Sequence, residues 1–252
     1  MKKFIAILVF ATLALMLGAC GQKEKKANVL VLGTNPTYPP YESVGAEGQC
    51  EGYDIDVAAA IAEKLNKQLE IREFEFDALI LALKQDKIDV VLSGLSITPS
   101  RQKEIEMIPY QGDPVRSLYL AFWKNRPSFK SISELGMIAV QVATLQEGYL
   151  RTVEGAQWKS LEGNVEIVME LQHQKSQAAI FEPNIANALV KRFPDMQLVE
   201  LPLEEKDWFL GNEIGINKKN TALIEQVKQA VDELRADGKL KELEKKWMQS
   251  NE

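Results

Sequence analysis

The chain of 252 residues contains one histidine, His173, and two cysteines, Cys20 and Cys50. So few imidazoles and thiols exclude most His-dependent catalysis and any zinc centre assembled from several His and Cys ligands. Basic side chains are outnumbered, 30 against 36 acidic, for a net charge of −6. A chain without basic excess lacks the means to displace counterions from nucleic acid. With 15 Gly and 10 Pro it is neither collagen-like nor low in complexity. Long apolar runs are also missing, apart from residues 4–19, and those sixteen residues fall short of the about 20 that span a bilayer.

That single run has the shape of a secretory signal. Lys2 and Lys3 precede it and small residues close it, at Leu17-Gly18-Ala19-Cys20. The closing four residues resemble a bacterial lipobox, which implies that residues 1–19 are removed and that Cys20 is lipidated and becomes the first mature residue. Residues 20–28 then form a polar tether carrying an acidic body, which stands off a membrane without crossing it. With Cys20 lipidated, Cys50 has no partner within the chain, so no disulfide is expected and Cys50 reads as a half-buried loop residue.

From residue 29 onward, short strands and helices alternate. Residues 29–33 and 69–74 and the β-branched 88–92 read as strands. Helices are expected to open at Asp54, taken as an N-cap, at Asp77, and at Pro99 behind the N-cap Thr98. This β-α-β-α-β order implies a mainly parallel sheet covered by helices. After the break at residues 109–114 a second series begins: strands at 117–123 and 137–142, and a helix opened by the capping box Thr144 to Glu147. A strand at 165–169, a helix near 171–177, a strand through Ala178–Phe181 and a helix over 184–192 follow. A strand near 213–217, a helix capped by Asn220 and a short helix holding Leu240, Leu243 and Trp247 close the chain. Asp54 and Asp56 read as helix-start electrostatics, Glu242–Lys246 as a solvated helix face, and His173 as a surface residue. The expected fold is α/β with two lobes: residues 29–112 plus 213–252, and residues 113–212.

In open α/β sheets, ligands sit beyond the carboxyl ends of the strands. That rule gathers the loops at 33–41, 76–77 and 93–101 of the first lobe and faces them with 141–146 and 181–182 of the second. The loops hold one Arg, at 101, near two helix N-termini, which suits a carboxylate. They hold one acid, Glu182, which suits an ammonium. Two aromatics, Tyr38 and Phe76, can sandwich a side chain. Singly, each of these residues is as readily explained by surface charge or core packing, but together they describe a free amino acid.

The segments Gly33-Thr34-Asn35-Pro36-Thr37-Tyr38, Gly52-Tyr53-Asp54-Ile55-Asp56, Phe76-Asp77-Ala78-Leu79-Ile80 and Ser93-Gly94-Leu95-Ser96-Ile97-Thr98-Pro99-Ser100-Arg101 resemble, in order and spacing, the polar amino-acid solute-binding proteins of ABC importers, family 3, near the arginine binders. The likeness runs from about residue 29 to 249. It implies the type II periplasmic-binding-protein fold, two α/β lobes on two hinge strands, and a monomeric carrier that delivers its ligand to a permease without chemistry or cofactor. It also implies roles. Arg101 takes the α-carboxylate, aided by backbone at Ser96, Thr144 and Leu145. Ser96, the Gly94 carbonyl and Glu182 take the ammonium. Tyr38 and Phe76 flank the ligand side chain, and Asn35 and Gln141 meet its far end, with Ser93 and Gln146 completing the pocket. Glu182 stands where Asp is commoner, and Asn35 where several binders of cationic amino acids have an acid. Arginine is the expected ligand, with glutamine or another polar amino acid as the rival. A prephenate-type dehydratase or a surface adhesin on the same fold is the remote alternative. The expected place is the periplasm or cell envelope.

Overall fold

The computed structural model describes residues 28–112, 114–205, 208–209 and 211–249. The signal segment, Cys20 and the tether up to residue 27 lie outside the described residues. Among the described residues no helix is long and apolar enough to cross a membrane.

Two five-stranded sheets organise the chain. The first contains β1 (Val29–Thr34), β5 (Gln68–Glu73), β6 (Val90–Val91), β7 (Glu106–Pro109) and β13 (Glu213–Ile216), in the order β5-β1-β6-β13-β7. β1 pairs in parallel with β5 and β6, and β13 then runs antiparallel to both β6 and β7. The second contains β8 (Ser117–Trp123), β9 (Ile138–Gln141), β10 (Trp158–Leu161), β11 (Ala178–Phe181) and β12 (Met196–Pro202), in the order β10-β9-β11-β8-β12. It repeats the scheme: β9 is parallel to β10 and β11, and β8 is antiparallel to β11 and β12. A small antiparallel sheet of β2 (Thr37–Tyr38), β3 (Glu42–Val44) and β4 (Cys50–Glu51) folds over the end of β1. The chain passes from the first sheet to the second between β7 and β8 and returns between β12 and β13. The two passages touch through an antiparallel bridge, Val115 to Phe209.

The central strands read as unbroken apolar runs because helices bury both faces. Helices α1 (Tyr53–Lys64), α7 (Thr221–Ala236) and α8 (Lys239–Glu244) cover one face of the first sheet. Leu223, Val227, Ala230 and Leu234 form the inward stripe of α7, whose N-cap is Asn220. The short α2 (Leu79–Lys84) covers the other face, packing Leu79 and Leu83 against Val31 and Val91. α3 (Pro99–Glu104) starts as its caps predict, Thr98 Oγ1 accepting from the Arg101 amide with Pro99 in the first turn. The second sheet is flanked by α4 (Leu145–Thr152), α5 (Asn164–Gln172) and α6 (Pro183–Arg192).

Four expectations need correction. Residues 165–169 lie within α5 rather than in a strand: Ile167, Val168 and Leu171 are buried while Val165 and Met169 are exposed, a helical period that overrides β-branched propensity. Residues 173–177 consequently form a turn rather than a helix, and β10 supplies the strand ahead of α5. Asp54 is not an N-cap. Gly52 holds that place with φ +143, where a Cβ would stand 2.1 Å from the Tyr41 carbonyl oxygen, and Asp54 is buried in the first turn. Cys50 lies in β4, half-buried, its thiol 3.4 Å from Glu73 and pushed up to about 11 by burial and that carboxylate. His173 is exposed after the end of α5.

Candidate functional site

The carboxyl ends of β1 and β6 face those of β9 and β11 across a narrow, mostly polar cavity. All twelve residues singled out from the sequence line it: Asn35, Tyr38, Phe76, Ser93, Gly94, Ser96, Arg101, Gln141, Thr144, Leu145, Gln146 and Glu182. Glu42 lines it too and was missed, because an acid in a Pro-rich loop carries no signal of burial.

Arg101 is placed by the capped start of α3 and is only 8% exposed. Nη1 donates to the Ser96 carbonyl at 2.7 Å and Nη2 to the Ala143 carbonyl at 2.9 Å, so the guanidinium joins the two walls. Its carbon lies 5.3 Å from the centre of the Phe76 ring. Burial lowers its pKa to about 10, partly offset by Glu182, so it is a cation at neutral pH. Ala143 offers its carbonyl from a left-handed backbone, φ +61. The capping box below it is shifted by one residue. Thr144 Oγ1 accepts from the Glu147 amide, as expected, but the Glu147 carboxylate reaches back to the amide of Ala143 rather than that of Thr144.

Glu182 follows β11 and sits at the N-cap of α6 without capping it. Its side chain turns into the cavity, accepting from Gln146 Nε2 at 3.1 Å and facing Ser96 Oγ at 3.4 Å. Burial raises its pKa, which hydrogen bonds from Tyr38, Gln146 and Ser96 and the charge of Arg101 hold down in part. Oε1 of Gln146, also buried, has no partner, which leaves an acceptor free beside this acid. Tyr38 thus does more than offer a ring: its hydroxyl supports Glu182 while its face stacks on Tyr41 at 5.6 Å.

At the opposite end Asn35 Oδ1 accepts from Thr37 at 2.6 Å and faces Gln141 Nε2 at 3.4 Å. Asn35 Nδ2 donates to the Phe74 carbonyl and Gln141 Nε2 to that of Glu162. Beside this end stand four exposed acids, Glu75 and Asp77 flanking Phe76, and Glu162 and Glu166 from the other wall. Glu162 has a raised pKa, through desolvation first and then through Asp77, Glu75 and Glu166. Like charges therefore face each other across the mouth. Among the described residues no group of three His, Cys, Asp or Glu is arranged to hold a metal ion.

The model of the bacterial extracellular solute-binding proteins, family 3, matches residues 30–250. The chain belongs to that family. Its family places it outside the cytoplasm and among binding proteins rather than enzymes. The chain is 42% identical over 228 residues to the probable ABC transporter arginine-binding protein ArtJ of Chlamydia trachomatis, a match covering 90% of this chain and 89% of that protein. An ancestral arginine-binding protein solved with arginine superposes with a TM-score of 0.79 at 30% identity, over 87% of this chain and 98% of that one. An ancestral arginine-binding protein solved with glutamine does so with a TM-score of 0.79 at 29% identity, over 88% and 99%. The α/β fold of two helix-flanked sheets is that of these amino-acid binding proteins.

Proposed function

We propose that this solute-binding protein captures free L-arginine in the cavity between its sheets and presents it to an ABC permease. The observation that carries the reading is the placement of Arg101 and Glu182, both buried, on one small cavity with Phe76 and Tyr38 between its ends. A cation and an anion so fixed match the carboxylate and ammonium of a zwitterion, the guanidinium by a planar fork. The acids at the far mouth favour a cationic side chain, supplying by field the countercharge that Asn35 lacks. Arginine suits this end better than lysine, because its delocalised charge is weakly hydrated and stacks on aromatic faces. The ligand name borne by ArtJ agrees.

Glutamine is a second reading with an observation of its own: Asn35 and Gln141, which meet the far end of the ligand, are both neutral amides. The two lobes, 29–112 with 213–252 and 113–212, close about the paired passages at Val115 and Phe209, and lipid on Cys20 anchors the carrier to the membrane. A thermal-shift screen of the twenty amino acids, ornithine and citrulline tests the ligand, since one that binds only the folded state raises the melting temperature. Arginine is expected to give the largest rise, and no rise with any amino acid refutes the reading.

A further inference from the structure

Behind the ammonium end of the cavity, two acids that the ligand reading leaves unused are packed against each other. Glu42 and Asp54 are both fully buried. Oε1 of Glu42 accepts from Ser93 Oγ at 2.9 Å, and that same Oγ accepts from the Asn35 amide at 3.0 Å. Asp54 is more fully satisfied: Oδ2 accepts from the Gly94 amide at 2.8 Å and Oδ1 from the Tyr110 hydroxyl at 2.5 Å. Oε2 of Glu42 has no donor to accept from. The Glu42 side chain lies against that of Asp54, and two carboxylates cannot hydrogen-bond unless one carries a proton. A buried acceptor without a partner is costly, and two buried like charges in contact are costlier. A proton on Glu42 Oε2, donated to Asp54, removes both costs.

The bend these acids hold has no slack. Gly94 has φ +55, and a Cβ there would stand 2.6 Å from the Tyr38 ring. Ser93 and Gly94, whose hydroxyl and amide these acids hold, both line the cavity. We propose that Glu42 and Asp54 share a single proton and together form the support that positions the Ser93–Gly94 bend beneath the ligand's ammonium group. The positioning half rests on the amino-acid reading of the cavity; the shared proton does not.

Other titratable groups face the pair. They are Tyr38, Tyr41, Tyr53 and Tyr110, Cys50, and Glu182 across the cavity. No cation is among the strongest influences on either acid, and burial raises the pKa of both, Glu42 the more. In the unfolded chain Glu42 ionises near pH 4 to 5, whereas in the fold it keeps its proton to higher pH. The unfolded state therefore binds fewer protons through that window, and stability falls as pH rises across it.

The test compares the wild-type chain with Glu42→Gln, whose amide donates to Asp54 without titrating. In ligand-free protein, the melting temperature of Glu42→Gln minus that of wild type should grow by about 5 °C between pH 5 and pH 8. Glu182 and the tyrosines are common to both and cancel. A difference that does not change with pH overturns the shared proton. For positioning, Glu42→Ala should weaken arginine binding at least tenfold by calorimetry, and Glu42→Gln should recover most of that loss. Wild-type affinity in Glu42→Ala overturns the positioning role. If wild type itself binds no arginine, the ligand reading fails and takes the positioning role with it, while the pH series still decides the proton.

Discussion

Replacing Arg101 is the sharpest perturbation of the proposed site. The side chain is 8% exposed, and its two terminal nitrogens hold carbonyls on opposite walls, Ser96 at 2.7 Å and Ala143 at 2.9 Å. Burial draws its pKa down to about 10. At about 1.4 kcal/mol per unit, that is on the order of 3 kcal/mol of unfavourable desolvation in the empty site. A bound carboxylate offsets it. Removing one partner of a buried charge pair costs about 2–5 kcal/mol, or about 30- to 5,000-fold in affinity. Arg101→Lys should fall in that range, close to Arg101→Met, because a compact ammonium cannot reach both carbonyls and still offer a planar fork to the ligand. Stability should move less. Arg101→Met relieves the desolvation but strips two carbonyls of their donors, and these effects oppose each other. Calorimetric titration with arginine, alongside ligand-free melting curves, separates the two. A loss of affinity under fivefold for either variant would refute the placement of the ligand carboxylate on Arg101.

Glu182→Gln should weaken arginine binding at least tenfold while the ligand-free melting temperature at pH 7 holds or rises. The folded pKa of Glu182 is raised by burial, so stability is lost as pH climbs from its ordinary value near 4.5 through the raised one, and Gln removes that loss. For the same reason wild-type affinity should fall on acidification into that window, as protonation removes the charge that meets the ammonium, and Glu182→Gln should abolish this pH dependence; unchanged affinity with early unfolding of Glu182→Gln would make the acid structural. Asp77→Asn combined with Glu162→Gln should weaken arginine about three- to tenfold at low salt, less at high salt, and leave any glutamine affinity unmoved, because exposed charges act through a screened field. Equal effects on both ligands, read by calorimetry at two salt concentrations, would remove the mouth acids from the account of selectivity.

The strand ends and capped helix starts were legible because their signals are local. Thr98 and Pro99 fix the start of α3, and that start alone aims Arg101 at the cavity. Glu182 was legible for a similar reason, as the acid between a buried strand and Pro183. What could not be read depended on packing. β10 and β12 are the two edge strands of the second sheet, only half-buried, so their alternation is too weak to stand out. In α5, β-branched residues imitate a strand until the exposure of Val165 and Met169 shows the helical period. Asp54 reads as a cap because its burial against Gly94 and Tyr110 joins three distant segments. Glu42 is silent for the same reason: its meaning comes from Asp54 and Ser93, twelve and fifty-one residues away.

The central claim is that this cavity takes an amino acid with a cationic planar side chain. Competition for the wild-type chain between labelled arginine and unlabelled arginine, lysine, ornithine and glutamine tests it most directly. Arginine should displace the label at the lowest concentration, with lysine and ornithine at least tenfold weaker, because their compact ammonium would be desolvated against the neutral Asn35 and Gln141. Glutamine displacing the label at a lower concentration than arginine would contradict the account, and would mean that the two neutral amides, rather than the acids at the mouth, decide the ligand.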